Sequence, residues 1–167
     1  MTLVNAITSL RIIGTFLLLF TNPLSKTFFI VYTLSGFTDV LDGFIARKTH
    51  TETEFGAKLD SVADLLFYGM MVYKLFPILW DILPITIWYG VAFAGVLRII
   101  SYSITAVKFR HFMSNHTYLN KITGFFTFLT PYFLKLSGVI VIYCSITCII
   151  VILAAVDELF LSIKRKA

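Results

Sequence analysis

Charge is scarce in this chain of 167 residues, with Asp, Glu, Lys and Arg together making 14%, where about 25% is usual in a soluble domain. That excludes a disordered chain, which depends on charge and polarity to stay solvated. Cysteine is almost absent: only Cys144 and Cys148 occur, inside an apolar run. Two thiols make neither a disulfide scaffold nor a closed zinc site, so both read as small residues for helix packing. The basic residues are scattered and the net charge is only +5, which is no nucleic-acid footprint. No small-residue cleavage pattern stands at the first break, Thr21-Asn22-Pro23, so the N-terminal apolar stretch reads as a span and not as a removed signal. No internal repeat and no second domain is visible, so residues 1–167 read as one domain.

What is abundant is apolar side chain, at 58% of residues with a mean hydropathy of +0.88. A soluble domain of this length has too little interior to hide it. The composition therefore predicts an all-α, polytopic membrane protein with room for about six helices of roughly 20 residues. The first apolar stretch is Ile12 to Phe20, preceded by Asn5, Thr8 and Arg11. Helix two is expected from near Pro23 to Arg47, with Pro in its first turn. A polar connector follows from Lys48 to Phe55. Helix three runs from about Gly56 to Leu79, with Trp80-Asp81 as an interfacial turn. Helix four runs from about Pro84 to Val107 and helix five from about Tyr118 to Leu136. Ser137 to Val156 carries no charge and is the plainest span.

Basic residues set the orientation. With six spans, Arg47, Lys48, Lys58, Lys108, Arg110, Lys121 and the Lys164-Arg165-Lys166 end fall on one side, against Lys26, Lys74 and Lys135 on the other. The richer side is cytoplasmic, which places both termini there. His50, His111 and His116 sit in polar segments and read as solvated surface.

The acidic residues are unevenly placed. Asp39, Asp42, Asp60 and Asp64 fall in one short stretch, and none lies between Asp81 and Asp157. Carboxylates in membrane helices are costly and mark function. Asp39 and Asp42 are three apart and share a helix face; Asp60 and Asp64 are four apart and share another. Four facing carboxylates need a counter-charge. Salt bridges to Arg11, Arg47, Lys48 or Lys58 are the alternative, disfavoured because few cations lie nearby. A divalent ion suits better, and an all-oxygen set suits Mg²⁺ or Mn²⁺. Four carboxylates could hold two ions, as in two-metal phosphoryl chemistry. Gly43, Ala46 and Gly56 leave room for close approach of a helix or a flat ligand, and Arg47 can pair with phosphate oxygens.

Residues 39–64 read Asp39-x2-Asp42-Gly43-x2-Ala46-Arg47-x8-Gly56-x3-Asp60-x3-Asp64. This string resembles the signature of the CDP-alcohol phosphatidyltransferase family, with every defining position filled. The N-terminal Asn-x2-Thr-x2-Arg pattern of that family is also present, as Asn5, Thr8 and Arg11. The Lys-x-Lys-Thr often found near the start of helix five stands here as Asn120-Lys121-Ile122-Thr123, with a single lysine. The resemblance implies transfer of a phosphatidyl group from a CDP-linked lipid, such as CDP-diacylglycerol, to an alcohol, with release of CMP. It implies Asp39, Asp42 and Asp60 as metal ligands, with Asp64 completing the metal site or acting as the base. It implies that Asn5, Thr8, Arg11, Asp39, Gly43, Ala46, Arg47 and Gly56 meet the cytidine diphosphate. It also implies a homodimer in the cytoplasmic membrane.

Arg98 follows a long apolar run, and an arginine at membrane depth needs an anion. Arg98, Lys121 and Arg110 are the candidate acceptor-binding residues, with Lys108 beside them. They lean toward an acceptor that carries phosphate, and glycerol 3-phosphate is the default; phosphatidylserine or phosphatidylinositol-phosphate synthesis is the alternative. A prenyltransferase would use different Asp spacing and more helices. An Asp-lined metal-ion transporter would place its site at the midplane with inverted repeats.

Overall fold

The computed structural model describes residues 3–49, 54–109, 118–136 and 138–164, with the side chains of 3–5, 40, 42–49, 54–55, 57 and 107–109 outside that description. Six helices account for nearly all of it: α1 (Leu3–Leu19), α2 (Lys26–Thr49), α3 (Glu54–Ile82), α4 (Ile85–Phe109), α5 (Tyr118–Phe133) and α6 (Ile140–Lys164). No strand occurs among the described residues. The helices fall into two compact units, Met1–Leu79 and Trp80–Ala167.

Several boundaries differ from expectation for local reasons. Helix α2 begins at Lys26, and Pro23 lies in the turn before it. Ser25 takes the cap: its Oγ accepts from the Phe28 N–H at 3.1 Å, satisfying an end donor of the helix. Leu24 makes the turn at φ 60°. Trp80 and Asp81 continue α3 instead of turning, and the rings of Trp80 and Trp88 lie 5.2 Å apart. Helices α2 and α3 extend into the polar connector, leaving only residues 50–53 between them.

Burial is inverted relative to a soluble protein. On α1 the buried residues are Thr8, Arg11, Thr15 and Leu18, while Leu10, Ile13, Phe16 and Leu17 are exposed. Ser35, Ser101, Thr105, Glu158 and Ser162 are also buried, and large apolar residues face outward along all six helices. Broad apolar outer faces suit a lipid surround, and hydroxyls that bond back to carbonyls one turn earlier let Ser and Thr sit in such helices. Thr15 to Arg11, Thr105 to Ser101 and Ser162 to Glu158 are bonds of this kind. Among the described residues, three stretches are long and apolar enough to cross a membrane: Lys58–Ile82, Ile85–Ala106 and Ile140–Lys164. Ala6–Leu19 is apolar but shorter. Helix α5 has only 16 residues, and much of the C-terminal half of α2 lies outside the described side chains.

Within the first unit, α1 and α2 run antiparallel, since Arg11 meets Asp39 and Gly14 faces Ser35. Helix α3 runs parallel to α1. Arg11 meets Asp60 near one end, and at the other Lys74 Nζ donates to the carbonyls of Leu19 and Thr21, each at 2.8 Å. Lys74 thereby caps the open carbonyl end of α1, which favours a cation. Phe28 stacks on Tyr32, and Tyr32 stacks on Phe67 at 5.4 Å between centroids. This aromatic column sets the register of α2 against α3.

A Cβ on Gly14 would lie 2.6 Å from Ser35 Oγ, so the two helices touch closely here. Ala can be met by rotating Ser35; Leu cannot. Gly14→Leu is expected to destabilise the protein by about 2 kcal/mol, with Gly14→Ala costing less than half of that. Denaturant unfolding in detergent, followed by tryptophan fluorescence, measures both.

In the second unit α4 and α6 run parallel. Ser101 Oγ and Ser162 Oγ are 2.7 Å apart, Thr105 Oγ1 lies 3.1 Å from Ser162 Oγ, and Cys148 lies 3.7 Å from the Ile87 carbonyl. Both cysteines are free thiols, and Cys148 packs where a Cβ on Gly90 would come within 2.5 Å of it. Helix α5 returns against α6, with Tyr143 donating to the Phe126 carbonyl at 2.5 Å and stacking on Phe133 at 4.1 Å. Glu158 is 1% exposed, and neither carboxylate oxygen has a hydrogen-bond partner among the described residues. An unmet buried polar group costs stability that an apolar side chain of similar size restores. Glu158→Met is expected to raise stability by about 1 kcal/mol, a rise of about 3 °C in the thermal midpoint; a fall would show that Glu158 has a partner in the membrane.

Candidate functional site

The buried stripe of α2 (Phe28, Tyr32, Ser35) leads one turn further to Asp39. The buried stripe of α3 is Ala63, Phe67, Met71 and Leu75, and Asp60 and Asp64 flank its start. Register set by the aromatic column brings these acids together. Asp39, Asp60 and Asp64 each offer a carboxylate oxygen, and the three oxygens lie within 4.8 Å of one another. The spacing argument expected Asp42 as a fourth acid here; its side chain lies outside the described residues.

Arg11 joins the trio. Its guanidinium bridges Asp39 and Asp60, and Nη1 lies 3.3 Å from Asp64 Oδ1. The Arg11 side chain is 1% exposed, while the side chains of Asp39, Asp60 and Asp64 are 49, 47 and 45% exposed. The sequence disfavoured cation partners for the acids, yet one cation is built in. It comes from α1, far away in sequence, which spacing within residues 39–64 could not show.

Asp42, Gly43, Ala46 and Arg47 lie in the C-terminal half of α2, and Asn5 lies in the first turn of α1; their side chains lie outside the description. Thr8 is buried one turn before Arg11 on the same face. Gly56 is half-buried near the start of α3. In the second unit, Arg98 Nη2 donates to Asn120 Oδ1 at 3.1 Å, which brings Arg98 to the residue before Lys121. The Arg98 Nε is buried without a hydrogen bond among the described residues. Lys121 Nζ lies 5.7 Å from the Tyr118 ring centroid. Arg110, His50, His111 and His116 lie outside the described residues. Lys74 and the Ser101, Thr105, Ser162 and Glu158 cluster were not anticipated. A lone lysine within an apolar helix was the only available signal for the first; scattered hydroxyls gave none for the second.

The donor set is all oxygen, anionic and half-exposed, which fits a hard divalent cation such as Mg²⁺ or Mn²⁺. Three carboxylates from two adjacent helices, in a helical chain with apolar outer faces, fit a membrane-associated class of metal-dependent proteins. The chain belongs to the CDP-alcohol phosphatidyltransferase family, which matches over residues 1–156. Members of this family are membrane enzymes that depend on a divalent metal.

Relatives differ in their acceptor. The chain is 39% identical over 88 residues to the CDP-diacylglycerol–inositol 3-phosphatidyltransferase of Candida albicans, covering 47% of this chain and 37% of that protein. It is 36% identical over 86 residues to the CDP-diacylglycerol–serine O-phosphatidyltransferase of Methanocaldococcus jannaschii, covering 51% and 42%. It is 37% identical over 98 residues to the CDP-diacylglycerol–glycerol-3-phosphate 3-phosphatidyltransferase of Pseudomonas fluorescens, covering 54% and 50%. The chain thus spans half or less of the length of these relatives. No solved structure matches it.

Proposed function

We propose that this protein transfers a phosphatidyl group from CDP-diacylglycerol to a small polar alcohol and releases CMP. The observation that carries the reading is the carboxylate trio of Asp39, Asp60 and Asp64 within 4.8 Å on two helices. Asp39, Asp42, Asp60 and Asp64 would hold two Mg²⁺ or Mn²⁺ ions. When bound, such ions neutralise the diphosphate and stabilise charge on the leaving CMP. Asp64 takes the proton of the acceptor hydroxyl. The acceptor oxygen bonds to the lipid-bearing phosphorus, the bond from that phosphorus to CMP breaks, and CMP leaves with the electron pair. Gly43, Ala46 and Gly56 leave space for the cytidine diphosphate, and Arg47 pairs with its oxygens. Asn5 and Asp39 complete that site, with Thr8 and Arg11 buried on the adjoining face of α1.

Glycerol 3-phosphate is the acceptor we favour. Arg98, held beside Asn120, and Lys121 supply cations for a phosphate, with Arg110 as a third. In this reading all six helices span the cytoplasmic membrane, both termini and the active site face the cytoplasm, and the protein works as a homodimer. Alternating helix directions within each unit support the up-and-down path.

CMP release by the purified protein in detergent, with CDP-diacylglycerol and Mg²⁺, tests the reaction. Glycerol 3-phosphate, inositol phosphate, inositol and serine are offered singly. Turnover with glycerol 3-phosphate alone is the expected result. Turnover with serine or an inositol reassigns the acceptor. Neither turnover nor metal-dependent binding of the CDP-lipid removes the transferase reading and favours an Asp-lined metal-ion transporter.

A further inference from the structure

The guanidinium of Arg11 contacts one oxygen, Oδ1, of each of Asp39, Asp60 and Asp64. It does so from the buried side: the Arg11 side chain is 1% exposed, whereas each of the three Asp side chains is nearly half exposed. A flat fork of donors can tie several carboxylates in a fixed geometry, which a single ammonium cannot. The remaining surface of the three acidic side chains is exposed. Displacing Arg11 to make room would leave a buried guanidinium without its anions, a strongly unfavourable state.

We propose that Arg11 is a positioning residue for the metal site, clamping the three carboxylates from beneath so that their outer surfaces form one cation seat. This rests on the metal reading above and differs from the role in cytidine diphosphate contact that the family resemblance implies. Arg11 lowers the mutual repulsion of the acids before any ion binds and stays in place once one does. Thr15, whose hydroxyl bonds to the Arg11 carbonyl at 2.9 Å, and Thr8 are buried on the same face of α1 and keep that face against the other helices.

The test is Mn²⁺ titration of the full chain in detergent, read by electron paramagnetic resonance, with and without CDP. Wild type is compared with Arg11→Gln and Arg11→Lys. Loss of an outer support for metal ligands weakens metal binding by about 10- to 100-fold. Arg11→Gln is expected to show that loss and Arg11→Lys a smaller one, with CDP affinity at saturating Mn²⁺ unchanged. If Arg11→Gln does not survive purification, Arg11→Lys decides alone. Tighter or unchanged Mn²⁺ binding in the variants overturns the proposal, the first by making Arg11 a competitor of the ion. Unchanged Mn²⁺ binding with weakened CDP binding assigns Arg11 to the nucleotide. No Mn²⁺ binding by wild type, with or without CDP, overturns the metal reading and this inference with it.

Discussion

Asp60→Asn is expected to lower CMP release by about 1000-fold, close to 4 kcal/mol in the barrier, while leaving the protein folded. Asn keeps the shape and one carbonyl oxygen of Asp but not its charge. An oxygen seat for a hard divalent cation depends on that charge. Stability should hold because Arg11 keeps two other carboxylates, Asp39 and Asp64. Initial rates of CMP release, with a thermal unfolding curve on the same sample, measure both. A loss below tenfold would remove Asp60 from the metal site. A collapse of the thermal midpoint would make its role structural.

Asp64→Asn is expected to reduce turnover by about 100- to 10000-fold, the usual range for removal of a positioned base, while binding of the CDP-lipid persists. Asp64 stands one helical turn beyond Asp60 on α3, and its Oδ1 lies 3.3 Å from Arg11 Nη1, farther than the Arg11 contacts to Asp39 and Asp60. It is therefore the member of the trio best placed to serve something other than the ions. The measurement separates kcat from metal-dependent CDP-lipid affinity. A fall in kcat at constant affinity supports the base. Equal losses in both make Asp64 a metal ligand like its neighbour.

Much of the carboxylate cluster is locally encoded. Asp60 and Asp64 are four apart, so they share a helix face wherever α3 packs, and a short polar connector makes α2 and α3 neighbours. The boundaries read less well. Proline near a helix start suggests the first turn, but Ser25 is the stronger cap and moved the start of α2 past Pro23. Trp80-Asp81 looked like a turn because charge ends an apolar run, yet backbone bonding carried α3 through to Ile82.

The sequence by itself determined the helical membrane class, through apolar content too high for the interior of a small soluble domain, and the family, through the unbroken string from Asp39 to Asp64. Only the tertiary structure decided which residues meet across long separations. Arg11 reaches acids 28 and 49 positions away, and Lys74 closes the end of α1 from 53 and 55 positions away. The reason is physical. Periodicity tells which residues share a face, but a face does not name its partner. The partner follows from helix direction, from close contacts such as Gly14 on Ser35, and from the aromatic column that sets the register, and these exist only once the helices have packed.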